Sequence, residues 1–192
     1  YEYTTMPFGM ANAPSTFQRF IEHILAEVLN VICVVYIDDI LIFSKNANDH
    51  QGHVRSVISL LDANGLTISP EKCVFEVPSV DFIGLHISPS GICLAPDRLD
   101  AIQKWPLPRT PRKLASFLGF VNYFRDFIPN CSELSAPLFS LTRLSTNSTL
   151  PESPTYLKSF NALKETIATR VFIHHVDYSR PIFMACDASS SA

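Results

Sequence analysis

Apolar residues recur at helical spacing in two stretches near the start of the chain. Between positions 16 and 29 they are Phe17, Phe20, Ile21, Ile24, Leu25 and Val28. This spacing predicts a helix from Thr16 to about Leu29, capped by Ser15. Between positions 48 and 65 the apolar residues are Val54, Val57, Ile58 and Leu61. They predict a second helix, which Gly65 ends.

Two further stretches have the composition of strands. Residues 31–44 are rich in β-branched and aromatic residues, and Asp38 and Asp39 interrupt them. This pattern predicts two strands joined by a tight turn at Asp38–Asp39. Residues 72–92 predict short strands joined by proline and glycine turns. Strands, hairpin and helices in this order predict an α+β fold, with an antiparallel sheet and helices on one face.

The pattern becomes helical after Leu94. Residues 95–108 predict a short helix, and residues 131–144 predict another. A stronger helix between them begins at Pro111 with Thr110 as its cap. Its apolar stripe consists of Leu114, Phe117, Leu118, Val121 and Phe124. Residues 145–156 have the composition of a linker, and a last helix then leads into two apparent strands up to residue 192.

The charge of the chain is unevenly distributed. The net charge of -3 over 192 residues argues against a generic basic nucleic-acid-binding protein. Residues 1–44, however, have one basic residue against five acidic ones, whereas residues 97–126 have six basic residues against three acidic ones. This gradient suits a protein that holds cations at one place and phosphates at another.

Cysteine usage and hydropathy limit the class further. The five cysteines are scattered and odd in number, which argues against a disulfide framework and favours a reducing compartment. His50 and His53 with Cys73 lack a fourth ligand at zinc spacing. The longest apolar run, residues 31–37, is too short to span a bilayer. Because the chain starts with Tyr1, we expect it to be a fragment.

The paired carboxylates of Asp38 and Asp39 are the main chemical feature of the sequence. Carboxylates within an apolar run are costly unless a cation or strong donors compensate them. Mg²⁺ takes one or two carboxylates and completes its shell with water and substrate phosphate. A pair of such ions about 3.5–4 Å apart can stabilise both oxygens of a phosphoryl displacement. An exposed turn without a ligand is an equally good interpretation of the pair alone, because Asp is common in hairpin turns.

A series of motifs in order carries a family resemblance. They are MPFGMANAPSTFQ (6–18), YIDD (36–39), LIFS (41–44), FIGLHISPSGI (82–92), LASFLGFVNYFRDFI (114–128), SAPLFSL (135–141) and PIFMACDAS (181–189). Together they resemble the reverse transcriptases of gypsy-type LTR retrotransposons over nearly the whole chain. The resemblance implies a right-hand polymerase, with the C-terminal part of the palm in 1–94 and the thumb in 95–144. It also implies that 145–156 is a linker and 157–192 a tether with the first strands of a truncated RNase H-like α/β domain.

The resemblance implies an activity as well. It is RNA-directed DNA polymerisation, a nucleotidyl transfer to a primer 3′ hydroxyl with two Mg²⁺ ions, for which Mn²⁺ can substitute. The implied partners are an RNA or DNA template with its primer, deoxynucleotide triphosphates and the rest of the pol polyprotein, but no membrane. The implied location is the cytoplasm, with virus-like particles and nuclear entry as open alternatives.

The resemblance also assigns roles to individual residues. It makes Asp38 and Asp39 the catalytic metal ligands, with Lys72 as a general acid for the pyrophosphate. The nucleotide and template pocket consists of Phe8, Gly9, Asn12, Tyr36 and Ile37. The primer grip consists of Phe82, Ile83, Gly84 and Leu85. The nucleic-acid backbone contacts are Arg109, Arg112, Lys113 and Arg125. Asp187 matches the first metal-binding aspartate of the RNase H site.

Two other functions compete with polymerisation. In the family a third palm aspartate and the fingers lie upstream, so we expect the fragment alone to be inactive. The first alternative is a non-catalytic, host-retained or decayed remnant that binds nucleic acid or protein, against which the intact YIDD argues. The second is another palm-type enzyme such as a nucleotide cyclase, which has no need of the basic helical module.

Overall fold

The computed structural model describes residues 2, 4–7, 9–145, 148–170 and 172–183. The chain divides into two compact units, Tyr1–Ile83 and Gly84–Ala192. Each unit has its own cluster of buried apolar side chains. The predicted fold class is confirmed, since both units combine antiparallel strands with helices.

The first unit packs two helices and a hairpin around a small core. Its elements are α1 (Ala13–Ile24), β1 (Cys33–Tyr36), β2 (Asp39–Ile42), α2 (Ala47–Ala63) and β3 (Val80–Phe82). The buried core consists of Ile21, Ile24, Leu25, Cys33, Val57 and Leu61. Helix α1 and the hairpin therefore share one apolar core, which fixes the hairpin against the helix.

Helix α1 begins and ends earlier than the apolar spacing predicts. Asn12, and not Ser15, is its N-cap residue, and a proline follows in the first turn. Proline is favoured there because its fixed φ suits a helix and its missing N–H is not needed. The hydroxyl of Ser15 instead donates to the carbonyl of Asn12 at 3.0 Å. The helix ends at Ile24, residues 25–28 form turns, and Leu29 forms an isolated bridge with Cys33.

The hairpin is shifted by one residue from the prediction. Tyr36 pairs with Asp39 across β1 and β2, so the two-residue turn is Ile37–Asp38 and not Asp38–Asp39. The hairpin also forms a separate two-stranded sheet within this unit. One of its faces packs on the core through Cys33, Val35, Ile40 and Ile42. The other face carries Tyr36 and Asp39, because successive side chains of a strand point to opposite faces.

The second unit is mostly helical. Its elements are β4 (Leu85–Ser88), β5 (Gly91–Leu94), α3 (Pro96–Gln103), α4 (Pro111–Tyr123), α5 (Cys131–Thr142), α6 (Pro154–Arg170) and β6 (Phe172–Ile173). Helix α5 packs on α4 and α6, and α3 packs on α6. The cap of α4 is Thr110 as predicted, since its hydroxyl accepts the backbone N–H of Lys113 at 3.4 Å.

The core of the second unit is aromatic at its centre. The ring of Phe117 lies 5.7 Å from that of Trp105 and 4.7 Å from that of Phe160. Leu150 and Tyr156 are buried in the same core, although they lie in the stretch with linker composition. The hydroxyl of Tyr156 donates to the carbonyl of Pro108 at 2.5 Å.

A short antiparallel sheet closes the second unit. Strand β5 pairs with β4 on one side and with β6 on the other. A Cβ atom on Gly91 would lie 2.3 Å from the carbonyl oxygen of Ile173, so only glycine permits this approach. Of the two strands predicted near the C-terminus, the first is the two-residue strand β6. Residues 181–183 are not in a strand, and residues 184–192 lie outside the described part of the chain.

Candidate active site at the hairpin turn

The turn between β1 and β2 has an unusual backbone. Ile37, its first residue, has φ +55°. The left-handed region is rare for non-glycine residues, and it is strained for a β-branched side chain. Strain of this kind persists only where surrounding contacts hold the backbone in place, and it is frequent at functional sites.

Asp38 and Asp39 lie at the tip of the hairpin. Both side chains are exposed, as expected for residues at a tight turn. Within the described residues, neither carboxylate has a hydrogen-bond or ion-pair partner. Their oxygens therefore remain available to an external ligand, and hard divalent cations prefer oxygen ligands.

Gln18 on α1 connects the helix to this turn. Its side-chain oxygen accepts the backbone N–H of Ile37 at 2.6 Å. Its side-chain nitrogen donates to the carbonyl of Val35 at 3.2 Å and to the carboxylate of Glu22 at 2.7 Å. Sequence reasoning missed this residue, because the contact joins positions far apart in the chain. The only sequence signal is its place in the motif STFQ of the family resemblance.

The predicted pocket residues before α1 are only partly described. Gly9 has φ +94°, which explains a glycine there, and the space around its Cα is open. Asn12 is exposed at the start of α1, and its carbonyl accepts the N–H of Thr16 at 3.0 Å. Phe8 lies outside the described residues. Within the described part of the chain, no hydrogen bond joins Gly9 or Asn12 to the turn.

Lys72 is not brought to the carboxylates by any ion pair. It ends a short 3-10 helix, Pro70–Lys72, and its side chain is exposed. In the described residues it forms no salt bridge with Asp38 or Asp39. Its role as a general acid stays a prediction.

The predicted primer grip, Phe82 to Leu85, spans the division between the two compact units. Ile83 and Gly84 both have positive φ, at +48° and +76°. The carbonyl of Gly84 accepts the N–H of Ala95 at 3.0 Å, and a Cβ on Gly84 would lie 3.0 Å from Nε of Arg98. The backbone therefore turns sharply here, and the role of these residues as a primer grip stays a prediction.

The predicted backbone-binding cations lie around α4. Arg112 and Lys113 are exposed in its first turn, and Arg125 is exposed just after its end. Arg109 forms a salt bridge with Glu152 at 3.0 Å, although the arginine side chain remains 72% exposed. Each guanidinium or ammonium group thus stays accessible to an anion.

A groove between α4 and α5 is lined by Arg143, a basic residue that the sequence did not indicate as part of a site. It has a volume of about 450 Å³. Arg125 and Arg143 both line it, together with Asn122 and Ser132. Arg143 was missed because it lies outside the motifs that carry the family resemblance.

The remaining metal-binding candidates are not assembled. Among the described residues, no group of three or more His, Cys, Asp or Glu side chains could hold a metal ion. His50 and His53 both contact the hydroxyl of Ser44 through Nδ1, at 2.9 and 2.6 Å. The thiol of Cys73 donates to a backbone carbonyl instead. Asp187 lies outside the described residues.

None of the helices in the described part of the chain is both long enough and apolar enough to cross a bilayer.

Comparison with known proteins indicates the class of protein. Residues 1–87, which include the hairpin, match the family model "Reverse transcriptase (RNA-dependent DNA polymerase)". The structure resembles the foamy viral protease-reverse transcriptase in complex with an RNA/DNA hybrid, with TM-score 0.77 and 26% identity over 90% of this chain and 23% of that chain. It also resembles that enzyme in complex with dsDNA, with TM-score 0.78 and 26% identity over 93% of this chain and 37% of that one.

Relatives in sequence indicate the kind of polyprotein that the chain resembles. The Transposon Tf2-3 and Tf2-7 polyproteins of Schizosaccharomyces pombe are each 38% identical to this chain over 192 residues. The alignment covers 100% of this chain but 14% of each polyprotein, so the chain spans a small part of these relatives. The family model and these relatives confirm the predicted resemblance to reverse transcriptases of retrotransposon polyproteins. The gypsy type stays a prediction.

Proposed function

We propose that this chain is part of an RNA-directed DNA polymerase of a gypsy-type retrotransposon. The observation that carries the proposal is the exposed Asp38–Asp39 pair on a backbone turn held by α1. This pair lies within the stretch that matches the reverse transcriptase family model. The reaction is attack of a primer 3′ hydroxyl on the α-phosphate of a deoxynucleotide triphosphate, with pyrophosphate as the leaving group.

The carboxylates of Asp38 and Asp39 fit Mg²⁺, or Mn²⁺ in its place, because both offer free oxygen ligands. Bound as a pair, such ions supply Lewis-acid stabilisation of the attacking and leaving oxygens. The described residues offer only these two ligands at the turn, so further ligands must come from substrate, water or other parts of the polyprotein.

The other proposed roles follow the family resemblance. Tyr36, which is 51% exposed beside Asp39, would contact the primer end, and Ile37 would contact the incoming nucleotide. Phe8, Gly9 and Asn12 would complete the nucleotide and template pocket. Lys72 would protonate the leaving pyrophosphate, and the sharp turn at 82–85 would position the primer 3′ hydroxyl.

The second unit would hold the template and primer. Arginine and lysine side chains that contact phosphates fix position without reading sequence. The exposed cations Arg109, Arg112, Lys113 and Arg125 suit this role. The structural relatives are complexes with an RNA/DNA hybrid and with dsDNA, which supports nucleic acid as the partner here.

The organisation of the polyprotein is a further part of the proposal. Residues 1–94 would form the C-terminal palm, 95–144 the thumb, 145–156 a linker, and 157–192 the tether to an RNase H-like domain in which Asp187 binds metal. We propose a cytoplasmic location, with virus-like particles and nuclear entry as open alternatives. The division into compact units falls at Ile83 and Gly84, inside the proposed palm.

Primer extension by the longer polyprotein tests the proposal. The assay uses an RNA template, a DNA primer, deoxynucleotide triphosphates and Mg²⁺. We expect Asp38→Asn to reduce kcat by at least about 100-fold, because loss of a charged metal ligand removes several kcal/mol of transition-state stabilisation. Asp62→Asn, an equal change on the exposed face of α2, is the control and should keep normal activity.

Two results would contradict the proposal. Extension that survives Asp38→Asn unchanged would remove the carboxylate pair from the chemistry. Failure of a well-folded polyprotein to extend any primer would favour the non-catalytic remnant.

A further inference from the structure

Gln18 uses every polar atom of its side chain. Its oxygen accepts the N–H of Ile37, and its two N–H groups are directed to Val35 and Glu22. An amide side chain offers one oxygen acceptor and two N–H donors. The side chain is half-buried on α1, so these bonds are shielded in part from water.

The partners also fix which way the amide points. Ile37 presents a donor, whereas the Val35 carbonyl and the Glu22 carboxylate present acceptors. A reversed amide would set N–H against N–H and oxygen against two oxygens. Glu22 therefore orients Gln18, and Gln18 in turn holds the backbone on both sides of Tyr36.

The bond to Ile37 falls on the most strained residue of the turn. With φ +55°, this residue would relax toward ordinary conformations if nothing held it. Asp38 and Tyr36 are its direct neighbours, so any relaxation would move the carboxylate and the ring. Resting on the function proposed above, we propose that Gln18, oriented by Glu22, is a positioning residue that holds the carboxylate turn in its reactive conformation.

The first experiment measures the contact and its kinetic effect together. Gln18→Leu in the longer polyprotein removes all three hydrogen bonds and keeps an apolar stem. We expect amide hydrogen exchange at the turn peptide containing Ile37 to accelerate about tenfold, and kcat to fall about tenfold, the scale of one buried hydrogen bond. The KM for primer and template should stay within about twofold, because the proposed phosphate contacts of the second unit are unchanged.

Gln51→Leu is the matched control. Gln51 lies on the exposed face of α2, in the same unit, and its amide reaches Glu76 at 3.3 Å. The same chemical change there should alter neither exchange at the turn nor kcat. An equal loss in both variants would show a general effect on stability and would overturn the proposal.

A charge exchange tests the orientation by Glu22. Gln18→Glu keeps an acceptor for Ile37 but sets a second carboxylate against Glu22 and against the Val35 carbonyl. We expect it to lose at least as much kcat as Gln18→Leu. Adding Glu22→Gln restores a donor to residue 18, so the double variant should regain kcat about threefold or more over Gln18→Glu.

The outcomes separate this proposal from the function on which it rests. If Asp38→Asn leaves extension unchanged, the proposed function fails, whatever Gln18 does. If Asp38→Asn abolishes extension but Gln18→Leu changes neither turn exchange nor kcat, only the role of Gln18 fails. No recovery in the double variant would overturn the orientation by Glu22.

Discussion

At the scale of single residues, the backbone and the burial of a few side chains decide the chemistry. Ile37 holds a conformation that its own side chain disfavours, and a glutamine distant in sequence satisfies its N–H. Tyr156, by contrast, is buried, and its phenol stays protonated at neutral pH. Burial, and then the negative charge of Glu152, raise the pKa of Tyr156 to about 12.

Tyr156 should make the second unit sensitive to alkali. A free tyrosine titrates near pH 10, so the unfolded chain loses this proton before the folded one does. Stability from the neutral phenol is thus complete below about pH 10 and is lost as pH rises toward 12. We expect Tyr156→Phe to flatten the fall in melting temperature over this range.

The same variant has a second effect at neutral pH. Loss of the hydroxyl leaves the Pro108 carbonyl without its donor, which should cost about 1–2 kcal/mol. Tyr178→Phe makes the same chemical change at an 83% exposed position and serves as the control. Identical pH profiles for the two variants would contradict the assignment to Tyr156.

At the scale of elements, caps and special backbone angles define where each helix ends. Helix α2 is capped at its start by Asn46, whose side chain accepts the N–H of Asp49 at 3.0 Å. At the other end Gly65 has φ +73°, and the N–H of Leu66 donates to the carbonyl of Leu61 at 3.0 Å. This is the Schellman arrangement, in which a left-handed glycine satisfies the last carbonyls.

Two glycines, one within α2 and one just after it, should respond in opposite directions to the same substitution. Gly65→Ala forces a Cβ into the left-handed region and should reduce the free energy of unfolding by about 1 kcal/mol. Gly52→Ala lies in the exposed middle of the helix with open space around it, and should increase it by about 0.5–1 kcal/mol. Urea denaturation measures both. Changes of equal sign would refute the capping role of Gly65.

At the scale of the whole molecule, the two units differ in core size. Among the described residues, the first unit buries six apolar side chains in its core and the second buries fourteen. Stability rises with the apolar area that a unit removes from water. In the first unit, the face of the hairpin away from the core leaves Tyr36 51% and Phe43 41% exposed.

Hydrogen exchange of the intact chain should therefore show unequal stability. We expect amides of α4 and α6 to exchange at least about tenfold more slowly than those of α1 and α2, because local stability follows buried apolar contacts. Leu163→Ala in α6 truncates a side chain with 0% exposure and should lower the free energy of unfolding of the second unit by about 2–5 kcal/mol, which would speed exchange there. Equal protection in both units would show that the larger core gives no advantage.

The sequence by itself determined the elements and the chemistry that neighbouring residues carry. Apolar spacing located α2 and α4, Thr110 marked the start of α4, and YIDD indicated the carboxylate pair. These features could be predicted because they depend on helical period, capping and the contents of a short segment. The error at α1 has the same origin, since the proline in its first turn outweighed the apolar spacing.

Only the tertiary structure decided how distant segments meet. It set the turn one residue earlier, at Ile37–Asp38, exposed both carboxylates, and buried Leu150 and Tyr156 where the composition indicated a linker. It also placed Gln18 on the turn, 19 residues away in the chain. Local patterns cannot specify such contacts, because pairing register and side-chain partners depend on which apolar faces pack together in the folded chain.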